Sequence, residues 1–173
     1  MLRSSLHLLA ALGVLSPAVG LTETPAPAAQ PNCDAAVRRQ FDFWVGDWTV
    51  TVNGKHAGDN RIDKILGGCA LLENWTGQGG MSGKSVNFYD PVREQWHQTW
   101  VDDHGGSLGL DGTFSNGSMI LSGTQKNKAG KTTLNRITWT ALPSGQVRQL
   151  WEASSDAGKS WTVAFDGLYS RKK

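Results

Sequence analysis

Two carboxylates stand beside tryptophans: Glu73 in "LLENW" and Glu152 in "LWEAS". A carboxyl enclosed by aromatic rings is pushed toward its neutral form, which suits general acid–base work. Both are therefore candidate catalytic groups. Structural pairing with Arg136 or Arg148 accounts for them equally well. His97, in "QWHQTWV", is a further candidate for proton transfer. Asp102, Asp103 and His104 follow it but read as a polar turn, so no metal site is expected. The chain has no G-x-S-x-G element and no recognisable Ser-His-Asp order, so nothing marks an activated nucleophile. "GQGGMSGKS" is not a phosphate-binding loop. Gln78 stands where the pattern needs its first glycine, and no helix follows. It reads instead as a hairpin loop at an open rim.

Tryptophan is the other chemical resource. Eight of the fifteen aromatic residues are Trp. Each can bury roughly 150–250 Å². A dry core would be served by Leu or Phe, which carry no N–H to satisfy. Trp75, Trp96, Trp100, Trp139 and Trp151 are therefore candidates to line a ligand cavity. Glu73, His97, Gln98 and Arg148 are candidates to fix a ligand's polar groups, because pockets combine apolar walls with few polar contacts. Alternation sorts the faces. In "QWHQTWV", Trp96, Gln98 and Trp100 share one side and His97, Thr99 and Val101 the other. In "VRQLWEA", Arg148, Leu150 and Glu152 oppose Val147, Gln149, Trp151 and Ala153. Neither side is cleanly apolar. A polar cavity walled by aromatics and a decorated exterior both fit.

The elements that must carry these residues are strands. Turn signals recur every ten to twelve residues or so after Gly46, from Asn53-Gly54 to Asp156-Ala157-Gly158. Between them lie about ten β-favouring segments, near 47–52, 60–66, 70–76, 84–89, 95–101, 107–114, 118–126, 132–141, 146–154 and 160–170. Tight connections predict an all-β, up-and-down antiparallel barrel, whose closure removes both sheet edges. A two-sheet sandwich is the alternative, but no long crossover is visible. "CDAAVRRQF" is a short helical candidate capped by Asp34, placed to close one end. About ten strands leave more interior than eight. "SSDAGKSW" fits the S-x-D-x-G-x-S-W pattern of an Asp-box and reads as a hairpin brace.

Gly46-Asp47-Trp48, after the short helix and at the start of the first strand, resembles the G-x-W signature of calycin barrels: lipocalins, fatty-acid-binding proteins and nitrobindin-like domains. The resemblance implies that Trp48 plugs the closed end, with Arg171, Arg148 or Arg136 above it and Phe41 and Trp44 sealing the base. "FDFWVGDWTV", "LGGCALLENWTG", "WHQTWVD" and "RQLWEASSDAGKSWTVAFDGLY" are similar to segments of small exported bacterial proteins of calycin type with no assigned activity. Nitrobindin-like domains hold haem through a late histidine. The last histidine here is His104, so no cofactor is expected.

Residues 1–20 read as an export signal, with Arg3, an apolar run from Leu6 to Leu15, and Ala18-Val19-Gly20 before the cut. Residues 21–32 read as a Pro- and Ala-rich disordered leader, and 33–173 as one barrel domain. The formal net charge of +2 is scattered apart from the Arg171-Lys172-Lys173 tail, which argues against a nucleic-acid partner or a membrane anchor. Cys33 and Cys69, an even pair in an exported chain, are expected to form a disulfide. The loop closed is about 37 residues long, worth about 3.8 kcal/mol. The reading is a periplasmic or secreted barrel that binds a small, partly apolar or aromatic molecule. A cofactor-free acid–base enzyme and a structural or partner-binding domain are the alternatives.

Overall fold

The computed structural model describes residues 33–173. The export signal and leader expected over 1–32 lie outside the described residues. Ten strands follow one another: β1 Gly46–Val52, β2 Lys55–Ile65, β3 Ala70–Gly77, β4 Ser82–Asp90, β5 Gln95–Asp102, β6 Ser107–Ser115, β7 Ser118–Lys126, β8 Thr132–Ala141, β9 Val147–Ser154 and β10 Thr162–Arg171. Each pairs antiparallel with its chain neighbours, and β1 pairs with β10, so the sheet closes into a barrel. The seam runs from Trp48↔Arg171 to Thr51↔Leu168. Closure leaves no unpaired edge, which is how a sheet of short strands avoids edge-to-edge association. Asn53-Gly54 and Asn116-Gly117 make two-residue connections with both residues at positive φ, as type I′ hairpins require.

The strand before each tight turn and the strand after it alternate inward and outward in step. Trp48 and Val50, Leu71 and Glu73, Ser85 and Asn87, Leu108 and Leu110, and Ile137 and Trp139 are the inward, buried members of their strands. No helix among the described residues is long and apolar enough to cross a membrane.

The lead-in segment closes one end, but with 3-10 turns at Ala36–Arg39 and Asp42–Trp44 rather than the expected two-turn helix. Ala35, not Asp34, sits at the first cap, and no side chain caps it. So short a run gains few intrahelical bonds for the cost of nucleation. Packing decides its shape instead. Phe41 stacks on Trp44 at 4.9 Å between ring centroids and meets the edges of Trp96 and Trp139 at 5.7 and 5.2 Å. Trp48 is fully buried, and its Nε1 donates to the Trp44 carbonyl at 2.8 Å. Of the three candidate arginines, Arg171 caps Trp48, with its guanidinium 4.4 Å from the ring centroid. A Cβ on Gly46 would run into that guanidinium, which accounts for the glycine of G-x-W. Arg136 and Arg148 lie elsewhere, paired with Glu152 and Asp166.

A disulfide joins Cys33 to Cys69 across 36 positions, with their Cα atoms 4.6 Å apart. It pins the lead-in segment to the turn between β2 and β3. At the opposite end, the Asp-box braces the β9–β10 connection. Ser160 donates to Asp156 through both its backbone N–H, at 3.0 Å, and its hydroxyl, at 2.6 Å. The buried Ser154 hydroxyl donates to Asp156 at 2.7 Å and accepts from the Gly158 N–H at 2.9 Å. These bonds hold the Asp156 carboxyl down to about 2. Trp161 packs beneath Arg136, 4.3 Å from its guanidinium.

Candidate functional site

The aromatic plug fills only the end of the barrel where β1 begins. Above it, toward the turns that join β3 to β4 and β5 to β6, a chamber of about 140 Å³ remains. Its upper wall is Trp75 from β3, Trp100 from β5, Trp151 from β9 and Phe165 from β10, with Met81 hanging from the β3–β4 turn. Leu108 and Ile137, level with Trp100 and Trp151, and Trp139 add apolar surface, and Glu73, Gln98, Gln149 and Tyr169 supply polar atoms.

Two of the rim indoles owe their position to glycines across the sheet. A Cβ on Gly83 would fall inside the Trp100 indole, and one on Gly58 would lie 2.8 Å from Trp75. Each ring therefore occupies space that a side chain at the glycine would take; at Gly58 the Thr76 carbonyl, which such a Cβ would strike, also demands glycine. Two of the indole N–H groups are bonded within the wall, whereas the buried Trp139 N–H has no partner among the described residues. Trp100 Nε1 donates to Asp102 at 3.3 Å and Trp151 Nε1 to Asn135 at 2.9 Å. What these rings present to a guest is carbon. The rim turns are tied together by bonds between Ser82 and Asp103, with the Ser82 N–H reaching the Asp103 carboxylate at 2.8 Å and the Asp103 N–H the Ser82 carbonyl at 3.0 Å.

The polar groups form one belt that draws on six strands. Gln98 Nε2 donates to Asn87 Oδ1 at 2.7 Å, and Asn87 Nδ2 donates to Ser85 Oγ at 2.8 Å. Ser85 donates to Glu73 Oε2 at 2.6 Å, and Asn60 Nδ2 to Glu73 Oε1 at 2.7 Å. Asn60 also donates to the Tyr169 hydroxyl at 3.3 Å, and Tyr169 donates to Gln149 Oε1. Burial pushes the Glu73 carboxyl above its ordinary value, against the pull of the Ser85 and Asn60 hydrogen bonds. Burial, with Glu73 as a negative neighbour, also pushes the Tyr169 hydroxyl well above its ordinary value. No basic side chain lines the chamber, so Glu73 has no counter-charge there.

The structure brings together Glu73, Trp75, Gln98, Trp100, Trp139 and Trp151 from the residues singled out in the sequence. Trp96 belongs to the base plug and donates to Gln40 at 3.1 Å. His97, Arg148 and Glu152 alternate with inward residues and so stand on the outer wall. His97 contacts Asp111 at 2.7 Å, Arg148 pairs with Asp166 at 2.8 Å, and Glu152 with Arg136 at 2.9 Å. These three corrections have one cause, the two-residue period of a strand. Tyr169, Gln149, Asn60, Ser85 and Asn87 were not singled out. Gln149 shares the Trp151 face in the sequence itself, so its place was legible. The other four depend on which strands become neighbours.

His97 Nε2 lies 2.8 Å from Thr99 Oγ1, which completes a hydroxyl–imidazole–carboxylate chain with Asp111. It sits in mid-strand on the outer wall, where ladder pairing takes the nearby backbone N–H groups that could otherwise stabilise an oxyanion. Among the described residues no three His, Cys, Asp or Glu side chains converge as a metal site would need. No family model matches the chain, and no curated protein matches it.

Proposed function

We propose that this chain is an exported small-molecule carrier or receptor whose barrel takes one small, partly apolar or aromatic ligand. The observation that supports it is a chamber walled by four indoles and floored by a polar belt, open at one end and plugged at the other. At about 140 Å³ it is close to the ~150 Å³ apolar cavity known to accept benzene, so a guest of about one ring fits. A domain evolved only for rigidity or partner binding has no use for the empty volume, because filling it would gain packing energy. The disulfide fits an oxidising compartment, and with the export signal read in residues 1–20 it supports a periplasmic or secreted location. The plug of Trp48 under Arg171 supports kinship with calycin-type barrels.

Native mass spectrometry of the protein purified from its source should show one compound retained. Tryptophan emission should shift with a panel of single-ring compounds, and Trp151→Ala should weaken the best of them by about tenfold, the scale of one lost aromatic contact. An emission spectrum indifferent to the whole panel, with no retained compound, overturns the proposal.

A second reading rests on Glu73. A buried carboxyl with a raised pKa, facing a chamber, is suited to proton transfer. Turnover lost in Glu73→Gln with ligand binding intact would support it.

A further inference from the structure

The polar belt has a direction. Most donors on it are already engaged within the belt: the amide nitrogens of Asn60, Asn87 and Gln98, and the hydroxyls of Ser85 and Tyr169. The Gln149 amide nitrogen and the buried Trp139 indole N–H are the exceptions in the lining. What remains besides these two is acceptor capacity. Each Glu73 oxygen accepts one of these bonds and has a second lone pair. Gln98 gives its nitrogen to Asn87, which leaves its carbonyl oxygen to accept. Gln149 Oε1 takes one bond from Tyr169 and can take another. Asn60 Oδ1, fully covered, also has no partner. Around this acceptor surface stand Trp75, Trp100 and Trp151, whose ring faces attract cations. The lining contains one carboxyl and no Lys, Arg or His.

Building on the chamber as a ligand site, we infer that its ligand is a small organic cation, about one ring in bulk, that places an ammonium or amidinium group against Glu73 and the Gln98 and Gln149 carbonyls. A neutral guest of the same size would bring Glu73 no counter-charge, and an anion would meet it with like charge. The cation supplies the counter-charge that the barrel itself lacks, and its hydrocarbon part rests on the indoles.

The test is a matched set of probes: benzylamine, benzyl alcohol and benzoate, titrated into the intact protein by calorimetry and tryptophan emission. Benzylamine should bind at least about tenfold more tightly than the other two, the scale of a charge-assisted hydrogen bond over a neutral one. E73Q should cut that preference to within about twofold, its fold checked by thermal melting. In the unmodified protein, benzylamine binding should weaken as pH falls through the raised value of the Glu73 carboxyl and benzyl alcohol binding should not. Benzylamine stays charged as the pH falls. Among the titratable groups facing Glu73, Tyr169 stays protonated. Benzyl alcohol or benzoate binding as tightly as benzylamine overturns this inference and leaves the chamber proposal standing. Failure of all three probes to bind overturns both. Should E73Q not fold, the ranking of the probes and its pH dependence in the unmodified protein decide the matter.

Discussion

Glu73 is the residue on which the chamber's chemistry turns. It is 4 % exposed, and two neutral donors are its hydrogen-bond partners. Its folded-state pKa lies above the ordinary 4.5, so the folded protein holds this proton more tightly than the unfolded chain does. Glu73 therefore costs no charge burial below the ordinary value, and progressively erodes stability as pH rises from there through the raised folded value. Glu73→Gln removes that dependence. In urea unfolding from pH 4 to 8, the variant should gain on the native protein with a slope approaching about 1.4 kcal/mol per pH unit within that window. A difference that stays constant with pH would mean the carboxyl titrates as if in water. Arg148 and Glu152 present the opposite case. Glu152 drew attention in the sequence because it borders Trp151, and Arg148 as a polar group that could fix a ligand. Their half-exposed partners, Asp166 and Arg136, satisfy them on the outer wall, and surface pairs of this kind contribute little to stability.

Turns and cross-strand pairs set the shape of the chamber. Gly83 on β4 leaves room for the Trp100 ring from β5. Gly83→Val should push that indole into the lumen. The expected outcome is a folded barrel with a shifted tryptophan emission maximum and at least about tenfold weaker binding of any single-ring ligand. Unchanged ligand affinity would show that Trp100 does not shape the site. The β9–β10 brace offers a pH-dependent counterpart to Glu73 with the sign reversed. Asp156 has a depressed folded pKa, so its contribution is present above the ordinary 3.8 and is lost as pH falls through about 2. Asp156→Ala should lower Tm at pH 7, and the gap to the native protein should close as pH approaches 2. A gap that persists at pH 2 would assign the effect to backbone geometry instead. The Asp-box pattern made this element readable in advance because all its bonds are local. The short lead-in helix was readable as well, but its 3-10 form was not: the aromatic stacking of Phe41 and Trp44 and their packing against Trp96 and Trp139 hold the chain in 3-10 turns.

At the scale of the molecule, closure and the disulfide act at the same end of the barrel. Cys33–Cys69 holds the plug segment in place under the first strands. Reduction should lower unfolding free energy by about 3.8 kcal/mol, as expected for a loop of this length, and leave far-ultraviolet circular dichroism intact below the transition. Calorimetry with and without dithiothreitol measures it. An unchanged Tm would mean that the aromatic plug alone secures the base. The barrel also explains why the belt can exist. Asn60, Glu73, Ser85, Asn87 and Gln98 lie on consecutive strands and meet at bonding distance only because each neighbouring pair is in one register.

Strand count, turn positions and hairpin connectivity follow from local pattern, because each depends on residues close together in the chain or on a two-residue alternation; the Trp48 plug was implied by the calycin resemblance, and the cysteine pair by an even count in a chain read as exported. The inward company of Glu73 and the outward fate of His97 and Arg148 do not. Alternation says which residues share a face, but only closure of β1 onto β10 and the register of ten strands decides which face is the inside. The chamber's volume, its surplus of acceptors and its missing counter-charge exist only in that closed arrangement.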